Sequence, residues 1–247
     1  MKDGKVPDRS RTAANGRPPN QLLQTLDAAD FELLQPHLAT VEMVRETVLG
    51  VQGAALKHVY FPHNGAISIA VSLADGQTIE VAMLGRDSVV GGGAALADGV
   101  ALANVIVLFA GTASILDPAV FRSIADRSAG FRRLMVRHEQ VLFAHAQQTL
   151  LCNTLHPVEA RLARWLLRAC ELCDRETLPL KQEFLAQTIG VRRNAISIVA
   201  HAMQQAGIIR YSRGQIEIAD RQALAATSCG CHSAVKMHCQ RLLKAHP

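Results

Sequence analysis

The sequence predicts an α+β protein in three parts: a series of short strands, one long helix, and a compact helical domain closed by a β-hairpin. Three observations carry that reading. Ten of the seventeen glycines fall between Gly50 and Gly111, where they punctuate short apolar runs. From Ala129 to about Asn153, apolar residues recur at spacings of three and four. Between Leu180 and Ala219, two amphipathic segments meet at Gly190 and lead into a strand pair.

Length and composition bound the problem. A chain of 247 residues suits two modest cores better than one large one, and at 49% hydrophobic residues it is globular. Its net charge of +5 is a weak general pull towards polyanions, so local clusters of Lys and Arg matter more. The N-terminus is polar and charged, without the apolar core of a signal peptide. The most apolar run, Ala101 to Leu116, is interrupted by Asn104, Gly111, Thr112 and Ser114, too short and broken to span a bilayer. The expected location is therefore cytoplasmic. In that setting the cysteines at 152, 170, 173, 229, 231 and 239 read as free thiols.

Residues 1–19 are polar, carry Pro and Gly, and show no periodicity; they are expected to form a disordered basic tail. A β-domain with flanking helices is expected over 20–128. It opens with a helical pair, 21–26 and 28–38, in which Phe31, Leu34 and Leu38 face one way. Strand-like runs at 57–61, 66–73, 78–84, 104–109 and 112–116 then alternate with turn signals such as Asp75-Gly76 and Gly85-Arg86-Asp87. Seven or eight short strands at such spacing form a barrel or a double-sheeted jelly-roll. Asp117-Pro118 starts a helix, with proline at its favoured first position.

Residues 129–155 are expected to form the long helix. Phe131, Leu134, His138, Val141 and His145, continued by Gln148 and Cys152, alternate by three and four as a heptad seam. At 1.5 Å per residue the helix is on the order of 35 Å long, more than a small roll covers. It is expected to pair with its twin in a homodimer. His138 and His145 lie one heptad apart on that seam and would meet their counterparts, as a pH-sensitive contact or as register-fixing polar residues. Leu155-His156-Pro157 breaks the helix and forms a hinge to a domain over 156–247. Its first helix, 158–173, turns Leu162, Trp165, Leu166 and Ala169 inward; two more helices, 220–226 and 231–243, close the chain.

Between them lies the most informative stretch. Phe184, Leu185 and Ile189 form one apolar stripe, and Gly190 follows where a tight turn needs positive φ. The next helix turns Ile196, Val199, Ala200 and Met203 inward. Its other face carries Arg193, Ser197, His201 and Gln204, with Arg192 and Asn194 beside them and no acid. These types read base edges in a major groove, Arg for guanine and Asn or Gln for adenine. After Gly207, residues 208–211 and 215–218 flank Ser212-Arg213-Gly214, a hairpin wing. Arg193, Asn194 and Ser197 are the candidate base contacts; Lys181, Arg192, Arg210 and Arg213 are the candidate phosphate contacts.

From Phe184 to Ser197 the segment FLAQTIGVRRNAIS resembles the winged helix-turn-helix of the Crp/Fnr family of bacterial transcription regulators. The remaining layout agrees nearly end to end. The resemblance implies a β-roll that senses an effector, a dimerisation helix, and a homodimer that binds double-stranded DNA at an inverted repeat and contacts RNA polymerase. Members that bind cyclic AMP hold the ribose with a Gly-Glu pair and the phosphate with a later Arg-Ser or Arg-Thr pair. Here that place reads Val90-Gly91-Gly92-Gly93-Ala94-Ala95, and no Lys or Arg occurs from Asp87 through Phe121. A buried cyclic phosphate without a cation is costly, so cyclic AMP is not the expected ligand. Gly91, Gly92 and Gly93 remain the effector-pocket candidates, since their N–H groups suit an anion. Members that sense oxygen through an iron–sulfur cluster place cysteines ahead of the roll, whereas this chain has none before Cys152. The cofactor is therefore unknown.

Cys170-Glu-Leu-Cys173, Cys229-Gly-Cys231-His232 and His238-Cys239 carry ligand types that suit zinc, but no matched pair of motifs, so no metal ligand is predicted. No enzyme is expected either. Cupin-type chemistry needs clustered ligands, and His58 and His63 lie five apart with no acid between them. Gly91-Gly92-Gly93 lacks the Gly-Lys-Ser/Thr of a phosphate loop. The rival reading is a ligand- or redox-sensing module whose helical domain serves protein contacts.

Overall fold

The structure, a computed structural model, describes residues 16–244. Most of the expected tail thus lies outside the described residues, but its last part is ordered. Arg17 donates to the Leu26 carbonyl at 2.6 Å and its guanidinium lies 4.6 Å from the centre of the Phe31 ring. The folded chain therefore starts ahead of Asn20. The Asn20 side chain accepts from the N–H groups of Leu22 and Leu23, capping α1 (Gln21–Thr25), and donates to the carbonyls of Pro62 and Ser88 at 2.9 Å. Asp27 caps α2 (Ala28–Leu34) by accepting from the Asp30 N–H.

Among the described residues, seven strands build the roll. β1 (Ala39–Met43), β2 (Val48–Gly50), β3 (Val59–Pro62), β4 (Ala66–Ser72) and β5 (Thr78–Leu84) precede a short helix, α3 (Gly92–Leu96). β6 (Asn104–Phe109) and β7 (Gly111–Leu116) follow it. They pair as two antiparallel sheets, β1-β7-β3 and β2-β6-β4-β5, the double-sheeted roll that the strand spacing predicts. Period-two alternation sorts the larger sheet. Ile67, Ala82, Leu84 and Val107 point into the roll with Met43 and Tyr60, while Ala66, Met83 and Leu108 point out. That outer face is covered by the C-terminal helices, so β4 and β5 read as nearly unbroken apolar runs.

α4 (Pro118–Arg127) is capped by Asp117, which accepts from the N–H groups of Ala119 and Val120. α5 (Ala129–Leu155) is capped by Ser128, and its 27 residues make it about 40 Å long. Pro157 prevents its continuation, and α6 (Val158–Cys173) starts at the next residue. The Trp165 ring of α6 sits 6.2 Å from those of Phe109 in the roll and of Phe184, so one apolar cluster spans both domains.

The rest of the chain is β8 (Thr177–Pro179), α7 (Gln182–Ile189), α8 (Arg193–Gln205), β9 (Ile209–Ser212), β10 (Gln215–Ile218), α9 (Arg221–Thr227) and α10 (Cys231–Leu243). β8, a three-residue strand ending in proline, was not expected; it adds to the wing as β8-β10-β9. α10 returns along α5 and places Leu242 in the core that α1, α2 and α4 share.

Candidate nucleic-acid interface

The interface is built on the Gly190 turn. At φ 72 Gly190 ends α7 in the left-handed region, and its N–H reaches the carbonyls of Ala186 and Gln187. Ile196, Ala200 and Met203 fasten α8 to the core, which leaves its opposite face in solvent. Arg192, as the sequence suggests, is an N-cap without a side-chain hydrogen bond. The first-turn N–H groups of α8 therefore lack that cap, and Arg192, Arg193 and Asn194 all stand exposed around them.

The predicted contacts divide. Arg193 and Asn194 are free to approach a groove; the nearest acid to Arg193 is Glu183, with Nε–Oε2 at 3.9 Å and both side chains exposed. Ser197 is a correction. It is half-buried and donates to Gln182 Oε1 at 2.7 Å, so its hydroxyl serves the α7–α8 crossing. Gln204 likewise accepts the Tyr211 N–H at 2.8 Å and holds the wing. Asn194, Ile198, His201 and Gln205 form a stripe of α8 that is exposed at every position, one residue round from the predicted one, which Ser197 interrupts. Ile198 is 71% exposed and was missed. Its signal was present: an isoleucine outside the inward set has no partner in its own helix.

Lys181 and Arg192 are exposed. Arg210 is exposed too, but its Nη1 lies 2.8 Å from Glu217 Oε1, which offsets its charge. Arg213 and Gly214 form a two-residue hairpin loop at φ 49 and 75, both positive as the tight turn requires, with Ser212 opposite Gln215. The turn puts Arg213 at the wing tip.

Comparison with known proteins agrees with this geometry. Residues 40–128 match the profile of the cyclic nucleotide-binding domain, and residues 160–227 match that of the Crp-like helix-turn-helix domain. The chain belongs to the Crp/Fnr family of transcription regulators. A Crp/Fnr regulator from Eubacterium rectale shares the fold at a TM-score of 0.65 and 16% identity, over 83% of this chain and 96% of its own. FixK2 from Bradyrhizobium japonicum gives 0.65 at 16% identity, over 78% and 98%. The c-di-GMP-responsive regulator CLP from Xanthomonas campestris gives 0.64 at 14% identity, over 78% and 100%. No curated protein sequence matches significantly. Among the described residues, no helix is long and apolar enough to cross a membrane.

In this Crp/Fnr regulator the DNA-binding domain is docked on the roll through buried polar contacts. Trp165 Nε1 donates to Glu80 Oε1 at 2.7 Å, and Ser68 Oγ donates to Glu80 Oε2 at 2.7 Å. Burial raises the Glu80 carboxyl to about 7, against the pull of those two donors and of Arg164 and Arg168. One turn on, Arg168 grips Asp87 with contacts of 2.7 and 3.1 Å. Burial would raise the Asp87 carboxyl, but the Arg168 guanidinium outweighs it and holds it below its ordinary value.

Two further expectations change in this regulator. Phe131, His138 and His145 are buried by their own chain, so they cannot meet a twin. His138 Nε2 accepts the Val89 N–H at 3.2 Å, and burial, with Arg168 and Arg164 nearby, lowers His145 to about 3. His145 is thus neutral at physiological pH and carries no switch there. Leu134 and Val141 are half-buried against the core that holds Leu242 and Leu243. The apolar residues α5 leaves in solvent are Val136, Phe143 and Leu150, 50%, 66% and 70% exposed and seven residues apart, with Leu151 and Leu155 near the end. The periodicity located a stripe correctly but could not tell which one the roll and α10 would cover.

The glycine pocket is also corrected. A Cβ on Gly91 would lie 2.8 Å from Leu56, one on Gly92 would meet Val89 and Phe121, and one on Gly93 would lie 2.6 Å from the Glu139 carboxylate. The three glycines let neighbours come close, and the charge nearest Gly93 is an acid, which disfavours an anion. In the roll, His63 is engaged by Ser114 and Thr112 at 2.8 and 3.3 Å.

The cysteines sort into two groups. Cys170, Cys173 and Cys239 are buried among packing residues, and burial pushes their thiols, like that of Cys152, up to about 12. Cys152, Cys229 and Cys231 instead meet, with His156 as a fourth neighbour, and the ligand atoms of all four lie within 4.8 Å of one another. The sequence alone does not bring this set together, because its halves are far apart in the chain. His232, next to Cys231 in the sequence, turns away to Glu171, with Nε2–Oε1 at 3.4 Å.

Proposed function

We propose that this chain acts as a homodimer that reads an inverted-repeat DNA site through two copies of α8, under control of a signal sensed by the β-roll. The carrying observation is the stripe Val136, Phe143 and Leu150, a heptad of exposed apolar side chains on the helix that joins sensor to DNA-binding domain. Pairing through it brings two DNA-binding domains together, as two half-sites about 34 Å apart need. Arg193 and Asn194 read bases, with Ile198 offered to a thymine methyl; Lys181, Arg192, Arg210 and Arg213 lie along the phosphates.

The effector in this reading is not cyclic AMP. No Lys or Arg lies between Asp87 and Phe121 to pair with a cyclic phosphate, and Leu56, Phe121 and Glu139 fill the space beside the glycines. The c-di-GMP response of CLP leaves a larger nucleotide to be tried as a probe. The bound dimer works in the cytoplasm and contacts RNA polymerase.

Footprinting of the purified protein across genomic DNA, without added ligand and then with candidate nucleotides, tests this. A palindromic footprint bound by two chains is expected. Binding with no sequence preference, or one chain per footprint, would overturn the reading.

A further inference from the structure

The geometry points to a metal centre at the hinge: Cys152, His156, Cys229 and Cys231 hold one zinc(II) ion in a tetrahedral Cys3His site. Around a single zinc, with Zn–S about 2.3 Å and Zn–N about 2.0 Å, tetrahedral ligand atoms lie about 3.5–3.8 Å apart. Cys152 Sγ lies 3.5 Å from Cys229 Sγ, and Cys231 Sγ lies 3.5 Å from His156 Nδ1. The same four atoms fall within 4.8 Å of one another, too tight for ligands spread over the several irons of a cluster. A Cys152–Cys229 disulfide would use two of the four and leave Cys231 and His156 converging without a purpose.

The surroundings fit a thiolate-rich ion. Gln148 Nε2 donates to Cys231 Sγ at 3.0 Å, an outer hydrogen bond of the kind that orients a metal thiolate. Three thiolates and one zinc leave a net negative charge, and Arg161 and Arg164 lie close enough to Cys152 to act on it. The Nε of each arginine is buried with no hydrogen-bond partner among the described residues. His156 and Cys229 are half-buried, so the ion has a way in. Binding forms four coordinate bonds, releases the thiol protons to water and transfers no electron.

The position gives the ion its role. Cys152 lies in the last turn of α5 and His156 is the residue that caps it, while Cys229 and Cys231 lie at the start of α10. The centre clamps the segment between α9 and α10 to the end of α5, beside Pro157, where α5 gives way to α6. This holds whether or not the DNA-reading assignment does, because the test reads metal.

Full-length protein, purified under a thiol reductant, is expected to contain one zinc per chain by atomic emission. After chelation, one equivalent of cobalt(II) added without oxygen should give strong tetrahedral ligand-field bands and thiolate-to-cobalt charge transfer, both bleached by zinc. The pair Cys229→Ser and Cys231→Ser should abolish these bands, and Cys170→Ala should keep them. Should the double variant not fold, alkylation mapped by mass spectrometry on the unaltered chain decides: zinc should protect Cys229 several-fold more than chelator does. Hydrogen exchange over 152–158 and 228–232 should rise on stripping. Sub-stoichiometric metal with no cobalt bands, a Cys152–Cys229 disulfide in place of metal under reductant, iron accompanied by acid-labile sulfide, or equal Cys229 alkylation with and without zinc would each overturn the site. Unchanged exchange would overturn the clamp.

Discussion

Trp165 of α6 donates its indole N–H to the buried carboxylate of Glu80 on β5 at 2.7 Å, one of the hydrogen bonds that join the DNA-binding domain to the sensor. The bond is made to a group whose ionisation is opposed by its surroundings. Desolvation lifts Glu80 from 4.5 to about 7. The folded chain therefore holds this proton more tightly than the unfolded chain, so stability falls as pH rises from 4.5 and levels off above 7. Glu80→Gln, which still accepts from Trp165, should remove that slope and raise stability above pH 7 by about 1–3 kcal/mol. Urea denaturation of both proteins across this range checks it; parallel slopes would contradict the assignment.

The neighbouring pair, Arg168 with Asp87, behaves oppositely. Both side chains are nearly buried, so Asp87→Asn leaves a guanidinium without its counter-charge. The expected loss is about 3–5 kcal/mol, read as a lower denaturation midpoint. Arg168→Met with Asp87→Leu should cost much less, because neither charge then remains inside.

On α8, Arg193→Ala should cost about 1–3 kcal/mol on the preferred duplex and little on random DNA. Arg213→Asn keeps the left-handed φ of 49 that the wing turn imposes and removes only the cation. It should weaken both duplexes alike and lower the salt slope by about one. Fluorescence anisotropy at several salt concentrations separates the two. Equal losses on both duplexes for Arg193→Ala would remove it from base reading.

Sedimentation tests the seam. Phe143→Asp places a charge in the exposed stripe of α5 and should cost about 2 kcal/mol or more of dimer stability without unfolding the monomer. His138→Ala should do the reverse: a less stable fold, since Val89 loses its hydrogen-bond acceptor, and unchanged assembly. Dissociation by His138→Ala at unaltered stability would restore the predicted seam.

Much of the fold was legible because its signals are local. The Gly190 turn, the Asp117-Pro118 start of α4, the break at Pro157 and the five strands β3 to β7 each follow from residues within a few positions of one another, whereas β1 and β2 are not placed by such local signals. The exposed polar face of α8 was legible for the same reason, save for the rotation that exchanged Ser197 for Ile198. That error came from Gln182, which lies on another helix and draws the Ser197 hydroxyl inward.

By itself, the order of residues determined the kinds of element, their sequence and the cationic character of α8, because backbone preference and side-chain period act over a few residues. Only the tertiary structure decided which stripe of α5 stays in solvent and that Cys152 meets Cys229, 77 positions away. A period shows that a face is apolar without saying whose atoms cover it, and a thiol finds distant ligands only after two helices have packed.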